Sequence, residues 1–365
     1  MLDASEAFAC WQFFNYAEAE AGRRGRTLLR INLDETAVCL YPGRGRGAVF
    51  LTKKHLRDGG GQQVPRWKRR CNMTHIAVLC DRPDVQAVLP QFIVANERTL
   101  PARSLAALLH QCPPNVRLLR QASAWNTHAL TARVIREVAA AIASQETVLD
   151  LHDVQVVFVM DCAKIHLHET VLRACKAARF WLIFVPPRMT PYLQPLDTHV
   201  FSVYKAILLV AYANARIRSR SQSGDLAIDE YLVCLFEAVR VLSDRAWTAA
   251  FDQDGLGLQQ VALRASLRRQ LQLDGAAIAV ASTQPSDAQL RVSIPRNFRL
   301  ATAVYWSLFA EVSSYGARAK RAAAPPRIRA VPALAAPGAP RGPRTRAEHR
   351  AAADAAAAAP AGPRR

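Results

Sequence analysis

The chain has 365 residues, 51% of them apolar, which is enough for one large domain or two small ones with a real hydrophobic core. Its 48 Lys and Arg residues outnumber 29 Asp and Glu residues, so the formal net charge is +19 and favours a polyanionic partner such as nucleic acid. The eight cysteines include no CxxC pair, which argues against a zinc site and against a disulfide framework.

The sequence predicts neither a secretion signal nor a membrane-spanning segment. The N-terminal residues MLDASEAFACWQFF lack a basic region followed by an apolar one, and no run reaches the length of about 18 apolar residues that a transmembrane helix needs. Residues 318–365 hold 11 basic and 2 acidic residues among mostly Ala and Pro, a composition that predicts disorder. We therefore expect an intracellular, nuclear protein with no membrane partner.

The predicted elements alternate between strands and helices. In chain order they are a helix over 4–22; strands at 26–42, 47–54 and 72–80; a loop-like stretch over 98–127 with a candidate strand at NVRLL; a helix over 128–146; the buried strand VQVVFVMD; the helix HETVLRACKAAR; the buried strand FWLIFVPP; and helices over 195–217 and 226–271. Three strands joined by hairpins thus precede two strands joined by helices. This order predicts an α/β fold with a mixed five-stranded sheet flanked by helices.

Three carboxylates stand at the ends of these elements. Asp34 lies late in the first strand, Asp161 ends VQVVFVMD, and Asp197 opens the helix after Pro195. If the first strand lies beside the fourth, Asp34 and Asp161 meet at one sheet edge and the helix start adds Asp197. Acids this close repel one another unless a cation lies among them, and Mg²⁺ and Mn²⁺ prefer such oxygen ligands. Two such ions can activate water and stabilise the leaving oxygen of a phosphodiester.

Other interpretations of these acids stay open. Glu35 could be the functional acid in place of Asp34, although strand alternation makes Glu35 point away from the other acids. Asp197 could simply favour the helix dipole, by about 0.3–1 kcal/mol. Asp161 carries the strongest signal, because a charge at the end of a buried strand needs a partner or a metal. A phosphatase with an aspartyl nucleophile is set aside, because Thr36 stands where its second acid should be.

The segments NLDET (32–36), VMDCAKIHLH (159–168) and VPPRMTPYLQPLDTHVFSVYK (185–205) resemble the DDE superfamily endonucleases, and among them the pogo and jerky-like transposases, whose third acid is Asp. AWNT (124–127) and RAWTAAFDQDGL (245–256) are also similar to elements of that family. The resemblance implies an RNase H-like fold in which Asp34, Asp161 and Asp197 are catalytic and hold two Mg²⁺ or Mn²⁺ ions. It further implies metal-dependent DNA cleavage and strand transfer.

The resemblance also sets the expected domain organisation and its alternative. We expect an N-terminal helix and basic turn over 1–26, an RNase H-like catalytic core over 27–215, a C-terminal helical region over 216–317 and a disordered Ala-, Pro- and Arg-rich tail over 318–365. The family has Asn, a small residue and Pro after its second Asp, whereas this chain has Cys162, Ala163 and Lys164. The family's helix-turn-helix region has no counterpart before residue 27. A degraded or domesticated copy that binds DNA without cutting it is therefore the alternative.

Basic clusters and histidines complete the set of candidate site residues. The clusters GRRGR, GRGRG and RWKRR suit either solvated turns or phosphate contacts, and their number in a basic core favours DNA as the partner. A second copy of the chain, forming a homodimer, is a further candidate partner. His166 and His168 are interpreted as packing and hydrogen-bonding residues rather than ligands. The candidate DNA-binding residues are Arg44, Arg46, Arg66, Lys68, Arg69, Arg70 and Lys164.

Overall fold

A mixed β-sheet forms the centre of the structure, a computed structural model. It describes residues 4–39, 73–151, 153–219, 226–257, 260–273, 278–295, 298, 300 and 302–313. All of these belong to one compact unit, Met1–Ala322. The described strands are β1 (Thr27–Val38), β2 (Met73–Cys80), β3 (Gln91–Asn96), β4 (Val116–Gln121), β5 (Val154–Asp161) and β6 (Trp181–Val185). They lie in the order β4-β3-β2-β1-β5-β6.

Strand register brings the carboxyl ends of three strands to one sheet edge. β1 pairs antiparallel with β2 and parallel with β5, and β5 pairs parallel with β6. Asn32 lies opposite Val159, so the next two residues of each strand lead to Asp34 and Asp161. The first strand therefore does lie beside VQVVFVMD. The α/β class, with a mixed sheet and flanking helices, is confirmed.

The sheet differs from the prediction at its antiparallel side. It has six described strands rather than five, because β3 was not predicted and the candidate at NVRLL forms the edge strand β4, parallel to β3. β3, QFIVAN, holds an apolar run of only four residues, FIVA, which is too short for its periodicity to identify a strand. The strand predicted at 47–54 lies outside the described residues. Within them, the neighbour of β1 is β2, which was predicted as the third strand.

Helices cover the sheet. The described ones are α1 (Ala4–Arg23), α2 (Pro83–Gln86), α3 (Ala102–Leu108), α4 (His128–Ser144), α5 (Glu169–Ala178), α6 (Thr190–Leu193), the π-helix Leu196–Val200, α7 (Phe201–Arg218), α8 (Ile228–Val239), α9 (Val241–Asp244), α10 (Thr248–Gln253), α11 (Ala265–Gln270), α12 (Asp287–Val292) and α13 (Thr302–Trp306). The proposed domain boundaries remain a prediction, and the tail over 318–365 lies outside the described residues.

The helix predicted over 226–271 is broken into shorter pieces, and one break has a clear cause. Gly255 has φ +83°, in the left-handed region that favours glycine. A Cβ at Gly255 would collide with the indole ring of Trp11 on α1. The same indole donates a hydrogen bond from Nε1 to the carbonyl of Asp254, at 3.1 Å. The chain thus turns out of α10 where it passes closely over α1.

One described helical stretch, Leu196–Arg218, is long and apolar enough to cross a membrane when judged by length and composition alone. This criterion does not test the expectation of no transmembrane helix, which remains a prediction. A third of its most apolar window is buried inside the domain. The buried face includes Tyr204, Leu208 and Tyr212, and the ring of Tyr212 meets that of Tyr231 on α8 edge-on. Its other face includes the exposed residues Leu209, Val210 and Ile217.

His75 on β2 makes the stability of the domain sensitive to acid. Its imidazole is fully buried, and its Nε2 lies 3.3 Å from Oε1 of Gln91. Burial lowers the pKa of His75 to about 4, against a smaller raising effect of the bond to Gln91. Since an unfolded His titrates near 6.5, its contribution to stability is complete above that pH and is lost as the pH falls toward 4.

We expect the pH dependence to weaken in His75→Gln, which cannot be protonated. Each pKa unit corresponds to about 1.4 kcal/mol, so between pH 7 and 5 the wild type should lose about 2 kcal/mol more unfolding free energy than the variant does. Urea unfolding at both pH values measures the difference. His110→Gln, at an exposed histidine, is the control and should follow the wild type. Parallel curves for wild type and His75→Gln would contradict the assignment.

Candidate functional site

The three predicted acids lie together at the carboxyl edge of the sheet. Asp34 is near the end of β1 and is buried, with 6% of its surface exposed. Asp161 is the last residue of the neighbouring β5. Asp197 is in the first turn of the π-helix, and its carboxyl group shares a hydrogen bond with that of Asp34. The charge of Asp161 acts on both of the other acids.

A buried side chain, Asn32, joins the elements that carry the acids. Its Oδ1 accepts a hydrogen bond from the backbone N–H of Leu196 at 2.9 Å, and its Nδ2 donates to the carbonyl of Val159 at 3.0 Å. The Nε2 of Gln194 also donates to the carbonyl of Leu33, at 3.4 Å. The proline-rich segment before Asp197 is therefore bonded directly to β1, which places Asp197 beside Asp34.

The other side of the π-helix is held by Asp254, a fully buried residue after α10. Its carboxylate accepts a hydrogen bond from Thr198 Oγ1 at 2.5 Å and lies 3.3 Å from His199 Nε2. It also forms an ion pair with Arg264 at 3.4 Å. π-Helical turns are rare and frequently occur at functional sites. Here the wide turn presents Asp197 to the acids while the two residues after it bind Asp254.

Burial and, after it, mutual repulsion raise the pKa values of two acids of the cluster. Burial raises the pKa of Asp34 well above its ordinary value, and the charges of Asp197, Glu35 and Asp161 raise it further. Burial also raises the pKa of Asp197, against the lowering effects of its bond to Asp34 and of the charge on Lys205. Two carboxyl groups in such contact are expected to share one proton. A cation is needed before both can be ionised together.

Asp161 is stabilised as a carboxylate by the buried imidazole of His166. The Nδ1 of His166 lies 2.5 Å from Oδ1 of Asp161, and its Nε2 lies 3.2 Å from Oε1 of Glu35. Burial alone would lower the pKa of His166, but the bonds and charges of the two acids raise it to about 10. Conversely, burial would raise the pKa of Asp161, but the bond to His166 and its charge hold it below its ordinary value.

Glu35 contacts the same imidazole as Asp161 does, a link that the prediction of a side chain pointing away did not include. Besides contacting His166, it accepts a hydrogen bond from Asn126 Nδ2, in the loop before α4. Strand alternation does place it on the opposite face from Asp34, but that face is covered by His166 and Asn126. Glu35 therefore belongs to a chain of contacts that runs from Asn126 to Asp161. His166 is a hydrogen-bonding residue, as interpreted from the sequence.

The carboxylate oxygens of the acids are suitable ligands for a hard cation, but the three acids are not arranged as a complete metal site. Among the described residues, no three His, Cys, Asp or Glu side chains are placed so that they could hold a metal ion together. Mg²⁺, however, commonly takes only one or two protein carboxylates and keeps several waters. Asp34 and Asp197 supply such a pair. Gln194, three residues before Asp197, adds a buried Oε1 without a hydrogen-bond partner among the described residues.

Only part of the predicted DNA-binding set can be placed. Lys164 is exposed in the turn just after Asp161, and the backbone N–H of Ala163 in the same turn donates to Asp161 Oδ1 at 3.1 Å. Cys162 is buried, and burial and the charge of Asp161 raise its thiol pKa to about 11, so it is a neutral packing group. The other six lie outside the described residues: Arg44, Arg46, Arg66, Lys68, Arg69 and Arg70.

A cavity of about 430 Å³ lies at the opposite end of β1, away from the acid cluster. Its lining includes Arg30, whose guanidinium pairs with Asp81 at 2.6 Å and with Asp252 at 2.5 Å. These charges satisfy one another, and Arg30 Nη1 also donates to the carbonyl of Leu256 at 2.7 Å. The arrangement is typical of a structural ion-pair network. The acid cluster is therefore the stronger candidate for chemistry, although it lies at an open sheet edge.

Sequence reasoning missed the residues that position the acids. Asn32 was noted only as part of NLDET, and its bond to Leu196 spans 164 positions. Asp254 was noted only within RAWTAAFDQDGL. The available signal was the polar residue itself, because a polar side chain predicted in a buried element needs a partner. The identity of that partner could not be obtained from local sequence.

Comparisons with known proteins give little beyond the fold. No protein-family model matches the sequence, and no curated protein matches it significantly. Among solved structures, the chain is similar to one described as "Mos1 transposase paired-end complex with left transposon end", with 13% sequence identity and a TM-score of 0.33. The match covers 70% of this chain and 64% of that chain, so it spans less than two thirds of the neighbour's length. A TM-score this low supports no argument about function, and the acid cluster has to be interpreted from its own residues.

Proposed function

We propose that this chain is a DDE-type, transposase-derived endonuclease domain of the pogo and jerky-like branch. Its reaction would be metal-dependent cleavage of a DNA phosphodiester, followed by strand transfer from the freed 3′-hydroxyl. The observation that carries the proposal is the convergence of Asp34, Asp161 and Asp197 from two parallel strands and a helix start. The motifs NLDET, VMDCAKIHLH and LQPLD around these acids support it.

Each acid would have a distinct part in holding two Mg²⁺ or Mn²⁺ ions, which supply charge stabilisation and an activated water when bound. Asp34 and Asp197 are in side-chain contact, so their carboxylates would together hold a cation. Asp161 is held as a carboxylate by His166, which fixes its orientation at the end of β5. Asn32 keeps Asp197 against β1.

The proposed substrate is supported by charge. DNA suits a chain of net charge +19, and the candidate contacts are the predicted basic residues, of which Lys164 is exposed beside Asp161. A nuclear location and a homodimer remain part of the proposal.

The alternative function is a catalytically dead or domesticated relic that binds DNA. Cys162 and Lys164 favour it, because they replace the Asn and Pro of the family pattern beside Asp161. The pairing of Asp161 with His166 also neutralises part of the site without any metal. The intact set of three acids favours the active enzyme.

Nicking of a supercoiled plasmid separates the two functions. We expect the wild type to convert plasmid to open circles with Mg²⁺ or Mn²⁺ and not with EDTA, because the proposed cleavage needs a cation held by the acids. Cys162→Asn restores the family's residue and should nick at least as fast. The control is Cys112→Asn, at a half-buried cysteine, and its nicking should match that of the wild type. Cys175 is fully buried and therefore unsuitable for this substitution. If wild type and Cys162→Asn are both inert with either metal, the relic is the better account.

A further inference from the structure

One oxygen of the Asp161 carboxylate is engaged inside the protein. Its Oδ1 lies 2.5 Å from Nδ1 of His166 and accepts a hydrogen bond from the backbone N–H of Ala163 at 3.1 Å. Within the described part of the chain, no hydrogen bond or ion pair involves the other oxygen, Oδ2. If Asp161 holds a cation, Oδ2 is therefore the oxygen that binds it.

The imidazole that engages Oδ1 is itself fixed by a second acid, Glu35. The ring of His166 is fully buried, and each of its nitrogens has a carboxylate partner. Nδ1 contacts Asp161, while Nε2 lies 3.2 Å from Oε1 of Glu35. A ring held at both nitrogens cannot turn without losing both contacts. The orientation of the Asp161 carboxylate therefore depends on Glu35, which reaches it only through His166.

Asn126 holds Glu35 from its other side. The Nδ2 of Asn126 donates to Oε1 of Glu35 and to Oγ1 of Thr131, the latter at 2.9 Å. Its Oδ1 accepts from the N–H of Thr127 at 2.8 Å, so both ends of the amide are engaged. Thr127 in turn caps α4, because its Oγ1 accepts from the N–H of Leu130 at 3.2 Å. Hydrogen bonds thus connect the start of α4 to the end of β5.

We propose that Glu35 is a positioning residue for Asp161, acting through His166 to turn Oδ2 of Asp161 toward the cation that the acids hold. This inference rests on the proposed function and deepens it, because it assigns a part to an acid outside the predicted set of three. Strand alternation places Glu35 on the opposite face of β1 from Asp34, where its Oε1 already accepts from Asn126. Outer partners of metal-binding side chains typically contribute about 10- to 100-fold in metal affinity.

Binding of Mn²⁺ to the full chain without DNA tests the proposal, measured from the electron paramagnetic resonance signal of unbound Mn²⁺. Glu35→Gln and Glu35→Ala remove the same negative charge, but only Gln keeps an oxygen that accepts from Asn126 and His166. We expect Glu35→Ala to bind Mn²⁺ about tenfold more weakly than Glu35→Gln, and its nicking to need correspondingly more Mn²⁺. The control is Glu97→Ala, at an exposed acid that pairs with Arg120 at 3.6 Å, and it should bind Mn²⁺ like the wild type.

Three results would overturn the inference. Equal losses of Mn²⁺ affinity in Glu35→Gln and Glu35→Ala would mean that Glu35 acts as a ligand or by its charge alone. Wild-type affinity in both variants would mean that Glu35 only supports the fold. Either result leaves the proposed function standing if the wild type nicks DNA. A wild type that binds no Mn²⁺ overturns the proposed function together with the inference.

Asn126→Ala is the second variant, for the case in which Glu35→Ala does not fold. It releases Glu35 without changing any charge, and urea unfolding shows that the protein under assay is folded. We expect it to bind Mn²⁺ several-fold more weakly than the wild type, because Glu35 no longer holds His166 in place. Wild-type Mn²⁺ affinity in folded Asn126→Ala would then overturn the inference.

Discussion

Replacing Asp161 by Asn should abolish Mg²⁺-dependent nicking and leave DNA binding intact or slightly tighter. Asn keeps the shape of the side chain and can still accept from His166 and from the Ala163 N–H. It removes one negative charge from the position that would hold a metal, which costs several kcal/mol of transition-state stabilisation, or at least about a hundredfold in rate. DNA binding tightens because an acid facing phosphate has been neutralised. Plasmid nicking and oligonucleotide binding measure the two effects separately.

A second readout reports on the same change in the absence of DNA. The pKa of His166 is raised to about 10 by its bonds to Asp161 and Glu35. Without the Asp161 carboxylate, NMR titration should find His166 titrating at a clearly lower pH. The matched control is Asp150→Asn, because Asp150 is exposed, has φ 47° that Asn tolerates, and lies at the opposite end of β5. Wild-type nicking by Asp161→Asn would remove the acid cluster from the mechanism.

The sequence predicts the core of this fold well where strands are long or fully buried. β1 alternates over 12 residues, and β5 is a continuous apolar run, so each was found with its acid at the correct end. Parallel pairing of β1 with β5 was only the condition on which the two acids would meet, and the structure supplies it. The sequence thus placed Asp34 and Asp161 at strand ends, and their convergence depended on a pairing that only the structure shows.

The contacts that orient the acids were not predictable, for a physical reason. Strand alternation says which face a side chain is on, but not which other segments cover that face. For Glu35 those segments are the loop with Asn126 and the turn with His166, which are far away in the sequence. The same holds for β3, whose short apolar run can be recognised as a strand only from its pairing with β2. These contacts arise from packing between segments that are distant in the sequence, so local patterns could not predict them.

Asn32→Ala should disturb the position of Asp197 while leaving its carboxylate in the protein. The change leaves the N–H of Leu196 without its acceptor in a fully buried place, and it also removes the donor to Val159. A buried polar group left unsatisfied costs about 1–3 kcal/mol, so we expect unfolding free energy to fall by about 2–4 kcal/mol in urea. Nicking should fall further than the folded fraction does, because Asp197 is no longer held beside Asp34.

Asn96→Ala is the matched control for this position. Asn96 ends β3, two strands from β1, and its Nδ2 donates to the carbonyl of Ala122 at 2.8 Å near the surface. Because water can replace that partner, its loss should cost less than about 1 kcal/mol and leave nicking unchanged. Nicking is compared at a temperature where both variants are fully folded. An Asn32→Ala protein as stable and as active as Asn96→Ala would mean that the bond to Leu196 does not position Asp197, and that the Asp254 contacts of the π-helix suffice.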